Sequence, residues 1–195
     1  ENIKNYAHGM FQSVYDYPYL SSSANHIFDL TVGYSATSAL SGAASIQNAK
    51  KINIYNQMAQ VLVGYDETGA IREFDQDGNL AAGGTKLKEC VFVNFSRLLT
   101  KDEVKKGSFI MTALTGGTPS APTDALTIQD HGASSTYLTN SPAGEYAPLY
   151  TSSATPNTGS AVGLLYYQAG IAVLTASVYD GAFGAPAATY DTSSI

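Results

Sequence analysis

Apolar and polar residues alternate along much of this chain, and the alternation marks strands. In His26 to Gly33, Phe28, Leu30 and Val32 share one face at period two. Lys86 to Phe95 places Leu87, Val91, Val93 and Phe95 on one face and Cys90 and Phe92 on the other, the pattern of a strand covered on both sides. Ser108 to Leu114 reads as a further strand. Gly163 to Tyr167 and Ile171 to Tyr179, separated by Gln168-Ala169-Gly170, read as a hairpin closed by a bulged turn. One segment has helical periodicity instead. Between about 45 and 63, Ala49, Ile52, Tyr55, Ala59 and Leu62 recur at steps of three or four, with Ser45 placed as N-cap and Gly64 as a stop.

The connections are marked by turn chemistry. Asp66-Glu67-Thr68-Gly69 and Asp75-Gln76-Asp77-Gly78-Asn79 bracket the short strand Ile71 to Phe74, and both put Gly where positive φ is needed, so a meander is expected. Thr100 and Glu103 have capping-box spacing, lysines follow, and Gly107 ends the run. This predicts a single helical turn joining the Cys90 strand to the next one, the two strands pairing in one sheet. Three segments lack periodicity: residues 1–25, with Tyr15-Asp16-Tyr17-Pro18-Tyr19 as an extended aromatic arm; 115–160, a Gly/Pro/Ser/Thr-rich insertion, ordered or mobile; and 181–195, a tail that would order only against a partner. The fold class expected is α+β, mainly β: an antiparallel sheet or sandwich with one amphipathic helix and extended arms, all in one domain spanning 1–195.

Composition narrows the partners. The chain has 195 residues, 44% hydrophobic, and only 13% charged, about half the usual ~25%. All ten Lys and Arg lie at or before Lys106. Up to there they face eleven acids (net −1), and from Gly107 onward five acids stand alone (net −5). A segment without cations cannot neutralise phosphates, so nucleic-acid contact by residues 107–195 is excluded, as is attachment of that half to an acidic membrane surface. No stretch has the ~18 apolar residues of a membrane-spanning helix, and the N-terminus lacks a signal-peptide apolar core. The chain starts at Glu1 without an initiator Met, as expected of a processed product or a piece of something longer.

Candidate chemistry is sparse. Cys90 is single, sits in an apolar run, and reads as a buried structural thiol. Asp75, Asp77 and Asn79 resemble the start of a calcium loop, but position 84, where a Glu ligand would be needed, is Gly, and a hairpin turn accounts for the same residues. His8, His26 and His131 have no ligand-spaced companions. Ser23, His26 and Asp29 could be assembled as a triad only on paper, since on a regular strand His26 and Asp29 face opposite ways. Gly83-Gly84-Thr85-Lys86 lacks the phosphate-loop ending. No enzyme and no cofactor is expected. Tyr15, Tyr17 and Tyr19 could stack on sugar, although tyrosine is also a routine contact residue between proteins and no Trp accompanies them. The helix carries an amide-rich face with Asn56, Gln57 and Gln60, suited to a protein interface because amides can be desolvated at lower cost than ions.

Three runs together suggest a family. Met10 to Tyr19 with Ser22 to His26, the block from Lys50-Lys51-Ile52-Asn53-Ile54-Tyr55 to Asp75-Gln76-Asp77-Gly78-Asn79, and Glu89 to Met111 resemble virion proteins of T4-like tailed phages of marine and cyanobacterial hosts. The resemblance covers roughly the first 115 residues. It implies a structural subunit of the virion, in the tail or baseplate, with copies of itself and other virion proteins as partners. It brings no catalytic residue. Low charge, an amide-faced helix and an aromatic arm agree with such a role. The alternative is a surface adhesin or carbohydrate-binding β-module. On the first reading the contact residues are Tyr15, Tyr17, Tyr19, Asn56, Gln57 and Gln60.

Overall fold

The computed structural model describes residues 1–42, 46–81, 83–100, 102–118, 121–151 and 161–179. The molecule is mainly β, as the alternation predicts. Strands β1 (Ile3–Asn5), β2 (Gln12–Tyr15) and β3 (His26–Tyr34) come first, then helix α1 (Ile46–Leu62) and the short pair β4 (Phe74–Asp75) and β5 (Lys86–Leu87). There follow β6 (Glu89–Asn94), β7 (Ile110–Thr118), β8 (Ala121–Gln129), one turn of helix α2 (Ala133–Thr136), β9 (Leu138–Ser141), β10 (Gly144–Tyr150), β11 (Ala161–Tyr166) and β12 (Ile171–Thr175). Ten of these strands form one sheet in the order β1-β2-β3-β6-β12-β11-β10-β8-β7, with β9 also on β10, and every pairing is antiparallel.

Both faces of the central strands are covered, which explains their continuous apolar runs. On one face Cys90 and Phe92 of β6, Val173 of β12 and Leu164 and Tyr166 of β11 pack against Ile54, Tyr55, Ala59 and Leu62 of α1 and against Phe74 and Leu87 of the β4–β5 pair. On the other, Val93, Ala172, Leu174 and Leu165 meet Ile128, Met111 and Leu126 of the β7–β8 hairpin. That hairpin belongs to the same sheet and yet covers it. β10 joins β8 through the single pair Tyr150 and Gln129, and past this junction the sheet curls over, bringing Phe109 to 5.5 Å from Phe95. The helix crosses β3 at Gly33. A Cβ there would stand 2.8 Å from the Tyr55 amide nitrogen and 3.0 Å from the Lys51 carbonyl, so only glycine admits the helix backbone this close. At its C-terminus Gly64 takes φ 73°, as its placement as a stop predicts; Ser45 lies outside the described residues.

Several expectations are corrected. Residues 1–25 are no arm: they contain β1 and β2, and β2 pairs with β3. Within 115–160 lie the end of β7 and all of β8, α2, β9 and β10, so the described part of the insertion is largely sheet; Ala, Thr, Gly and Pro in its strands hide the alternation. Leu87 faces Phe92 rather than Val91 because β5 and β6 break at Lys88, whose carbonyl accepts the Ser35 amide at 2.7 Å, and the alternation changes phase. The described residues of the Thr100 to Gly107 run form no helical turn. Val104 donates its amide to the Tyr167 carbonyl (3.1 Å), and Lys106 pairs with both Glu103 (2.8 Å) and Glu145, contacts that draw the segment out along the sheet. β6 and β7 share the sheet but are not neighbours. The expected hairpin forms between β11 and β12, but it closes through four residues, 167–170, with Gly170 at φ 64°, and its second strand ends at Thr175, where Ala176–Tyr179 turns into a 3-10 helix. The 181–195 tail lies outside the described residues.

Candidate functional site

Helix α1 stands as a ridge on the sheet, and a cavity opens along each flank. The larger, about 650 Å³, lies between α1 and the meander and is bordered by Ser35, Thr37, Tyr55, Asn56, Arg72, Glu73 and Lys86. Glu73 Oε1 accepts from the Ser35 hydroxyl and from Thr37 Oγ1 (2.6 Å), which ties the loop after β3 to the meander. Beside it the Tyr55 hydroxyl donates to the Leu87 carbonyl (2.8 Å) and accepts the Phe74 amide (3.2 Å). Every one of these contacts closes the structure on itself.

The smaller cavity, about 400 Å³, is roofed by His8, Met10 and Phe11 of the β1–β2 loop, walled by Ile54, Gln57 and Met58, and floored by Asp29, Thr31, Phe92 and Asn94. The roof is an aromatic group: Tyr6, His8 and Phe11 have ring centroids 4.9–5.2 Å apart. Lys50 Nζ donates to the His8 carbonyl (3.1 Å) and the Thr31 hydroxyl to the Met10 carbonyl, fixing the loop to helix and sheet. Asp29 Oδ1 accepts from Ser13 Oγ (2.6 Å) and bonds His26 Nε2 (2.8 Å), whose Nδ1 lies 3.4 Å from Arg97 Nη1. His26 and Asp29 therefore do meet, against the expectation for a regular strand. The register with β2 slips between Val14 and Tyr15, leaving Ile27 as a bulged extra residue that turns His26 to the Asp29 side. Ser13, rather than Ser23, joins them, and it bonds the carboxylate, not the imidazole. A triad needs the imidazole on the hydroxyl to accept its proton, and among the described residues no hydroxyl or thiol is hydrogen-bonded to His26 or His8. Ser13–Asp29–His26–Arg97 is a hydrogen-bonded clamp that ties β2 and β3 to the turn after β6. Its long-range partner Ser13 carried no signal readable from spacing.

Asn56 and Gln57, consecutive on α1, diverge onto its two flanks and border different cavities, while Gln60 points to solvent. Tyr15 and Tyr19 tilt against each other with centroids 6.3 Å apart, Tyr15 also packs on His26, and Tyr17 alone of the three is exposed, at 60%. The loop carrying them is pinned by Asp16, whose carboxylate accepts the Asn25 amide (2.7 Å) and side chain (2.9 Å); these hydrogen bonds hold it below the usual carboxylate range.

The acidic turn is filled from within. Asp75 is buried against the Lys86 ammonium, Asp77 accepts the Asn79 amide (3.0 Å) and side chain (2.5 Å), and Asn79 accepts the Ala81 amide (3.0 Å). Burial raises the Asp75 carboxyl despite Lys86, and a hydrogen bond with Asp75 lowers Asp77. Among the described residues no group of three or more His, Cys, Asp or Glu is placed to hold a metal ion. Cys90 is fully buried, and burial pushes its thiol up.

Comparison with protein-family models, with curated proteins and with solved structures found no match.

Proposed function

We propose that the protein is a structural subunit that works by assembling with copies of itself and with other proteins, in the tail or baseplate of a tailed-phage virion. The observation that supports this best is the outer face of α1. Its exposed positions are Ile46, Gln47, Ala49, Asn53, Gln57, Gln60 and Val61, and none is ionisable. A helix that faces only water normally carries charged residues there, often in i,i+4 pairs. Here Ile46 and Val61 remain 79% and 63% exposed, and the groups between them are amides and alanine, which a protein surface can cover without desolvating an ion.

Sedimentation velocity of the purified chain, from low micromolar to several hundred micromolar, tests the assembly. Species larger than the 20.5 kDa chain should grow with concentration, and Gln57→Glu with Val61→Glu should suppress them. A monomer at every concentration would overturn the reading. The place in the virion is tested by antibody labelling of purified tailed particles, which should decorate the tail or baseplate and leave heads and free DNA unlabelled.

A further inference from the structure

The two ends of the ten-stranded sheet are built in opposite ways. One end is β1, three residues long with Lys4 at its centre, both devices that discourage another chain from adding to a sheet edge. The other end is β7, nine residues from Ile110 to Thr118 without Lys, Pro or any ionisable side chain, and among the described residues no strand pairs with its outer side. Its inner side is fully occupied by β8, eight register pairs running from Ile110 and Gln129 to Thr118 and Ala121. Every second residue of β7 must therefore turn its amide and carbonyl outward, away from β8. Ile110, 67% exposed, stands at the start of this edge.

We infer that the β7 edge is where a second copy of this chain docks, β7 against β7 and antiparallel, so that one sheet runs through two molecules. This rests on the assembly reading above and adds to the outer face of α1 a second contact, on the opposite side of the sheet. Three features select this occupant. An antiparallel pair of identical strands is self-complementary about a two-fold axis, so the contact closes after two copies. The absence of charge on β7 means that no like charges meet across the pair, although the half of the chain containing it is acidic overall. Addition of β7 to the β1 edge of another copy, which would propagate into a fibre, meets a three-residue strand and the Lys4 ammonium.

The test is the double substitution Ile110→Lys and Thr112→Lys, two positions whose side chains are solvent-exposed in the single chain, so a folded variant is expected and is checked by circular dichroism. Self-association should weaken at least tenfold in sedimentation equilibrium. In parallel, hydrogen exchange of the wild-type amides within 110–118 should slow as concentration rises while exchange in β1 stays unchanged. If the wild type associates but the lysine variant associates equally well and the β7 amides show no concentration dependence, the β7 contact is wrong and the assembly reading stands. A wild type monomeric at every concentration overturns both.

Discussion

Asp130 shows how much one buried side chain can organise. It is 1% exposed, and its carboxylate accepts the Gly107 amide (2.7 Å), the Phe109 amide (2.9 Å) and the Tyr167 hydroxyl (2.9 Å). These donors come from the turn before β7 and from the β11–β12 loop, so one residue fixes the chain entering the curled hairpin against the central strands. Removing the acceptor leaves three donors without it, each costing about 1–3 kcal/mol where water cannot replace it. Asp130→Ala should therefore lower the unfolding free energy by at least about 3 kcal/mol in a urea titration, and Asp130→Asn, which keeps one carbonyl acceptor, by roughly half as much. A loss below about 1 kcal/mol for the alanine variant would refute the anchoring role. Nothing in the local sequence Ile128-Gln129-Asp130-His131 announces it, because all three partners are set by tertiary packing.

At the scale of elements, what was legible is what depends on near neighbours. Helix α1, its stop at Gly64, the two Gly turns at Gly69 and Gly78, and the β11–β12 hairpin follow from residues within a few positions of each other. The Thr100 to Gly107 run departs from its local signals for the complementary reason: those capping signals are weak, while Glu145 and Tyr167, which draw it out, are about forty to sixty residues away. The aromatic-rich start likewise lacks local periodicity, yet its β1 and β2 complete the sheet through pairing with β3. In the candidate site, the amide face of α1 could be read from periodicity, but its division between two cavities and the Ser13–Asp29 contact could not. Gly33 is where the helix and sheet constrain each other most. Gly33→Ala places a methyl against backbone atoms of Lys51 and Tyr55 that cannot rotate away, so α1 must lift from β3 and loosen Ile54 and Tyr55. The expected cost is about 2–3 kcal/mol, read as a lower thermal midpoint. Gly42→Ala, where a Cβ would meet nothing within 4 Å, is the control and should leave the midpoint nearly unchanged.

For the whole molecule, the tyrosines decide where alkaline pH ends the fold. Tyr55, Tyr146, Tyr166 and Tyr167 are each at most 1% exposed and sit on both faces of the sheet. Burial raises all four phenols, Tyr146 to about 12 and the other three further. Tyr166 has no hydrogen-bond partner for its hydroxyl among the described residues, and Tyr146 stacks on it with centroids 5.2 Å apart, so a phenolate at either position would be unsolvated. A phenol whose folded pKa lies above its unfolded value near 10 keeps its proton longer in the fold. Its contribution is complete below about pH 10 and is lost as pH rises toward the folded value, by about 1.4 kcal/mol per pH unit for each tyrosine. Four such groups acting together exhaust the ~5–15 kcal/mol stability of an ordinary domain within about one to three units. The chain should therefore unfold cooperatively at alkaline pH, with a step in phenolate absorbance coinciding with the loss of far-ultraviolet circular dichroism. Replacing Tyr146 by Phe removes one of the four, and the midpoint should move to higher pH once its neutral-pH stability has been matched. Ionisation of every tyrosine in one gradual phase, with the dichroism unchanged, would show that these phenols are not sealed in the core.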